Sequence, residues 1–228
     1  MPDMLFLAKT LDILSQKMYT FCDKSGGYKM SQPIVNKIVS RVYGKKRGWV
    51  FTPNHFLDLG SRAAVAQSLV RLAKAGTIRR LARGLYDYPR KHPDFGDLPP
   101  NYMNVAQALA GRDNLKIQPS GAYAANILGL TEQVPAKIVF LTDGPNRKVQ
   151  IGKQTIILKR TTPKNMATAG RISGLVIQAL RYLGKDHVDN HIIEVLKKKL
   201  SEEDKHQLMK DLRFAPAWIR DILRQLQR

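Results

Sequence analysis

The stretch "GSRAAVAQSLVRLAKAGTIRRLARGLYDYP", residues 60–89, combines six Lys or Arg, one acid at Asp87, and glycines at 60, 76 and 84. Ser61 is placed to cap a helix. On that helix Val65, Leu69, Leu72 and Gly76 share one face, while Ala63, Gln67, Arg71 and Lys74 face away and Arg62 sits in the exposed first turn. "TIRRL" and "LYDYP" flank "ARG" as two short strands, so a hairpin follows the helix at once. Upstream, "SQPIVNKIVSRVYG" reads as a first helix. Ser31 is its N-cap, Ile34, Val35, Ile38 and Val42 have helical spacing, and Gly44 is the stop. "TPNHFLDLG" reads as a short second helix, with Thr52 as N-cap, Pro53 at the first helical position and Gly60 as the stop. Helix, short helix, glycine turn, helix and basic hairpin is the order of a winged helix-turn-helix domain.

That order gives the residue types a use. A helix entering a DNA major groove needs small residues on the approaching face and long donors that reach base edges. Ala63, Ala64 and Ala66 meet the first requirement; Arg62, Gln67, Arg71 and, further along, Lys74 meet the second. Arg79, Arg80 and Arg83 in and beside the hairpin are expected on phosphates or in an adjacent minor groove, and Lys45, Lys46 and Arg47 add a cationic loop after the first helix. The competing reading has the alanines packing and the arginines solvated; the order of elements is more specific than a charge run and outweighs it.

The whole chain carries 38 Lys or Arg against 18 Asp or Glu, a net charge of +20 over 228 residues, which points to a polyanionic partner. Residues 29–93 hold 14 of those cations and only Asp58 and Asp87, a net of +12, which leaves 24 cations and 16 acids elsewhere, a net of +8. The basic footprint is therefore expected mainly in residues 31–93. A lone Cys22 and the lack of Cys/His spacing suited to zinc exclude an internal disulfide and a structural zinc site, and a reducing cytoplasm is the expected home. The start "MPDMLFLAKTLDIL" is interrupted by Asp3, Lys9 and Asp12 and does not read as a signal peptide, and no run of eighteen apolar residues exists. Met4, Leu7, Leu11, Leu14, Met18 and Phe21 form a helical stripe within residues 1–30, for packing or dimerisation. "PRKHPDFGDLPP" reads as a linker, so the expected division is 1–30, 31–93 and a C-terminal domain over 94–228.

In that C-terminal part "NVAQALAGRDN" and "SGAYAANILGL" read as helices, the second capped by Ser120 and stopped by Gly129. "KIVFLTDGPNRKVQIGKQTIILKRT" offers three strands, and "AGRISGLVIQALRYLG", "VDNHIIEVLKKKL" and "PAWIRDILRQL" are further helices. The expected fold class is α+β, a winged helix-turn-helix followed by a small sheet covered by helices. Catalysis is not expected. Between residues 114 and 185 the acids are Glu132 and Asp143 alone, too few for a metal-dependent nuclease, and no phosphate-binding P-loop occurs. His187 and His191 sit near Asp186, Asp189 and Glu194, but a polar helix start explains them better than a divalent metal. No cofactor or metal is expected.

Two long segments, residues 47–89 and "PSGAYAANILGLTEQVPAKIVFLTDGP" at 119–145, closely resemble the antitoxin component of abortive-infection type IV toxin–antitoxin systems. The resemblance covers residues 31–185, with a weaker echo in "RFAPAWIRDIL". It implies a winged helix that represses its own operon at promoter repeats, as a homodimer on double-stranded DNA. It also implies a C-terminal domain that counters a nucleotidyltransferase toxin without forming a stable complex with it. Ser120, Asn126, Lys137 and Arg147 are the residues the resemblance offers for an antitoxin surface. Alternatives are a stand-alone winged-helix regulator and an RNA-binding module, for which Tyr86 and Tyr88 are the only stacking candidates in the basic segment. A membrane role is weaker, because the cations do not line one amphipathic helix.

Overall fold

A computed structural model describes residues 34–111 and 115–227. The helix expected over 1–30 and the Ser31 cap lie outside the described residues. The fold is mixed, with helices and three small sheets.

Helix α1, Ile34–Gly44, is amphipathic and buries Ile38 and Val42. Strand β1, Val50–Phe51, leads into a 3-10 turn over Pro53–Phe56, which is shorter than the helix expected there. Its start follows the sequence: Thr52 is the N-cap, Pro53 is in the first turn, and the His55 ring accepts from the Thr52 amide at 3.1 Å. The turn then breaks off before Gly60, because Arg41 reaches in from α1, donating to the His55 carbonyl at 2.7 Å and bidentately to Asp58 at 2.8 and 2.5 Å. Helix α2, Arg62–Lys74, is capped by Ser61, whose hydroxyl accepts from the Ala64 amide at 3.3 Å. β2, Arg79–Ala82, and β3, Leu85–Asp87, complete a three-stranded antiparallel sheet in the order β1-β3-β2. Val65, Leu69 and Leu72 of α2 meet Ile38, Val42, Phe51, Phe56, Ile78 and Tyr86 in one core.

The segment after this sheet is not a free linker. β4, Lys91–His92, and β5, Gly96–Asp97, pair as a two-stranded ribbon, and the Leu98 amide donates to the Arg90 carbonyl at 2.8 Å. Four prolines do disfavour long elements, but two-residue strands fit between them. Nor does the core break at residue 93. Val50 and Leu85 share a cluster with Val105 and Ala106 of α3, Tyr102–Ala110, and with Ile138, Phe140, Ile156 and Leu158 of the second sheet. Pro33–Arg228 is accordingly one compact unit.

The second sheet has the order β6-β7-β9-β8, from β6 at Ile117–Ser120, β7 at Lys137–Thr142, β8 at Arg147–Ile151 and β9 at Gln154–Arg160. β7 and β9 run parallel while the other pairs are antiparallel. Strand β6 was not expected from the sequence. Helix α4, Gly121–Ile127, follows it directly, and the remaining helices are α5 at Pro163–Met166, α6 at Ile172–Leu183, α7 at Asn190–Lys199, α8 at Glu202–Lys210 and α9 at Ala217–Gln225. Their apolar faces make a separate core around Val176, Leu180, Leu196, Leu208, Ile219 and Leu223.

Candidate nucleic-acid interface

Burial of Val65, Leu69 and Leu72 fixes which face of α2 is left to solvent. That face carries Ala63, Gln67, Arg71 and Lys74, while Arg62 sits in the first turn, on the Val65–Leu69 side; all five are exposed. Among the described residues none of the Arg62, Gln67, Arg71 and Lys74 side chains has a hydrogen-bond or ion-pair partner in the chain, and α2 contains no acid. Ala64 and Ala66 flank it as half-buried small residues. The result is a cationic, amide-bearing ridge with little bulk near its N-terminal end, where the helix dipole adds positive potential.

The hairpin divides the three arginines expected on phosphates. Arg80 and Arg83 are exposed and without a partner among the described residues. Arg79 is a correction. Its guanidinium grips Asp87 with Nε–Oδ1 3.0 Å and Nη2–Oδ2 2.6 Å, and also donates to the Leu98 carbonyl at 2.9 Å. The register places Arg79 directly opposite Asp87, which is 1% exposed, so the arginine serves as its counter-charge. Burial pushes the Asp87 carboxyl up, partly offset by Arg79, and the Arg79 guanidinium is held above its usual range by the Asp87 bond. The sequence signal was present in the one acid of the segment, but the pairing depends on strand register.

The cationic loop sits elsewhere than expected. Arg47 lies over the Tyr88 ring at 4.5 Å and donates to the Pro89 carbonyl at 3.0 Å. Lys45 and Arg47 line a cleft together with Arg90 and residues of α3, to which no residue of α2 contributes. Lys46 is exposed, with φ +64°. The aromatic candidates for stacking on RNA are also taken up: Tyr86 is buried, and Tyr88 carries Arg47 on its face.

Ser120, Asn126, Lys137 and Arg147 do not form one surface. Ser120 occupies the N-cap position of α4, yet its hydroxyl donates to Gln178 of α6 at 3.1 Å instead of capping. The Asn126 amide closes the next loop through the Thr131 and Gln133 carbonyls. Lys137 and Arg147 are both exposed, but the register sets them on opposite faces of the sheet, and Arg147 donates to the Leu109 carbonyl. Asp189 caps α7 by accepting from the Ile192 amide, and among the described residues no group of three His, Cys, Asp or Glu is placed to hold a metal ion. Among the described residues, too, no helix is long and apolar enough to cross a membrane.

Beside Lys137, which the sequence reading named, further exposed cations that it did not single out lie on the second sheet. Lys137, Lys148, Lys153, Lys159 and Arg160 surround it with Asp143 as the one acid between residues 137 and 164, and β2 packs beside β8. The charge is therefore less confined to residues 29–93 than composition alone indicated.

Among solved structures, the chain is similar to the RV2827C protein from Mycobacterium tuberculosis. The TM-score is 0.43 at 15% identity, over 89% of this chain and 78% of that one. A comparison with curated proteins finds no match. The model of a family of unknown function, DUF6088, matches residues 37–208, and the chain belongs to that family.

Proposed function

We propose that this protein is a sequence-specific double-stranded DNA-binding regulator that represses its own promoter, with α1, the 3-10 turn, α2 and the β2–β3 hairpin acting as a winged helix-turn-helix. The observation that carries the reading is the solvent face of α2. Its cations and Gln67 have no partners within the described chain, while the opposite face is locked into a core by Val65, Leu69 and Leu72. Arg62 and Gln67 read base edges; Arg71, Lys74, Arg80 and Arg83 hold the backbone. The protein works by binding and not by catalysis. A homodimer on paired half-sites in the cytoplasm fits this reading.

The antitoxin role, opposing a nucleotidyltransferase toxin without a stable complex, is carried by the sequence resemblance alone. A reporter fused to the DNA upstream of the gene tests the regulatory part. Expression of the chain should silence it, and Arg62→Ala with Gln67→Ala should restore it while the protein level holds. Co-expression with an adjacent nucleotidyltransferase gene tests the second part: growth should be rescued by the double variant as well as by the parent chain. Repression that survives the double variant would remove α2 from the interface.

A further inference from the structure

Independently of the duplex reading, we propose that the cleft between the α1–β1 turn and α3 binds a nucleoside phosphate. The cleft encloses about 470 Å³, within the range of roughly 300–1,000 Å³ usual for small-molecule sites. Lys45, Arg47 and Arg90 line it together with Trp49, Asn104 and Gln107, and among the described residues no carboxylate lines it. Three cations with no anion make a field that draws a compact polyanion.

The cations are built into place. Arg47 is pinned by the Tyr88 ring and the Pro89 carbonyl, at 4.5 and 3.0 Å. The stem of Arg90 lies on Gly48, where an added Cβ would press on its Cγ and Cδ at 3.3 Å and where a φ of +94° favours glycine. The Asn104 amide ties α3 to the same turn by donating to the Gly48 carbonyl at 3.0 Å. Neither Lys45 nor Arg90 has an ion-pair partner among the described residues. The N-terminal end of α3, capped by Asn101, adds its positive pole. A bare phosphate would use the cations alone; a heterocyclic base linked to the phosphate also meets the Gln107 amide and the exposed part of Trp49, whose ring otherwise packs on Phe51, His55 and Phe56 at 4.7, 5.8 and 5.8 Å.

The test uses the full chain carrying Trp218→Phe, which leaves Trp49 as its only indole. Its fluorescence is followed during titration with ATP, AMP, inorganic phosphate and a short DNA duplex, with calorimetry alongside. Saturable binding of ATP or AMP, tighter than inorganic phosphate, is expected, and Arg90→Gln should weaken it about tenfold. Lys198→Gln, on the exposed face of α7, should leave it unchanged. If Arg90→Gln melts below the parent, Lys45→Gln takes its place. Three results would each overturn the proposal: no saturable response to a nucleotide, equal affinity in the Arg90 or Lys45 variant, or a response to the duplex alone, which would give the cleft to the DNA backbone. Because nucleotide and duplex are titrated separately, this failure is distinguishable from failure of the regulatory reading.

Discussion

Asp87 decides what Arg79 does. It is the single acid in residues 60–89, and the sequence places it in a strand; only the register reveals that it faces Arg79 and withdraws that arginine from any DNA surface. Asp87→Asn should cost about 2–3 kcal/mol. That is below the range for a fully buried pair because the Arg79 side chain keeps 28% of its surface in water. A thermal melt checks it, at about 2–4 °C per kcal/mol for a domain of this size. Gly174 on α6 is a second case with no sequence signal. A Cβ there would lie 2.4 Å from the Thr168 carbonyl and from Gln118 Oε1, so Gly174→Ala should destabilise by about 1–3 kcal/mol, measured in denaturant.

Elements were legible where local rules act alone. Ser61 caps α2 and Pro53 opens the 3-10 turn as expected, and the apolar spacing of α2 matches its buried face. Legibility failed where tertiary contacts decide. Ser120 sits at a cap position but turns its hydroxyl to Gln178; β6 forms only by pairing with β7; and α8, absent from the sequence reading, lacks a long apolar stripe. For α2 the expectation is direct. Gln67→Ala and Arg62→Ala should each cost about 1–3 kcal/mol on the native operator, with little loss on unrelated duplex. Their melting curves should stay within about 0.5 kcal/mol of the parent, since both side chains are exposed and unpaired. Equal loss on all duplexes would reassign them to phosphate contact.

At the scale of the molecule, the proline-rich stretch concealed a shared core. Val50 and Leu85 from the first sheet pack with Phe140, Ile156 and Leu158 from the second, so what composition divides at residue 93 the packing joins. In the Trp218→Phe background, Phe140→Ala should cost about 3–5 kcal/mol and lower the midpoint seen by Trp49 fluorescence together with that seen by helical circular dichroism. Separated midpoints would show two independently folding halves. The charge also acts at this scale: under the proposed function the +20 net charge attracts polyanions in general, and discrimination among them falls to α2. The most direct test is therefore a binding titration of the full chain against the duplex upstream of its gene, a scrambled duplex and a matched RNA, at several salt concentrations. The account predicts tight preference for the native duplex that persists as salt rises, with the slope reduced by about one for each of Arg80 and Arg83 replaced by alanine. Equal, steeply salt-dependent binding to all three would contradict it.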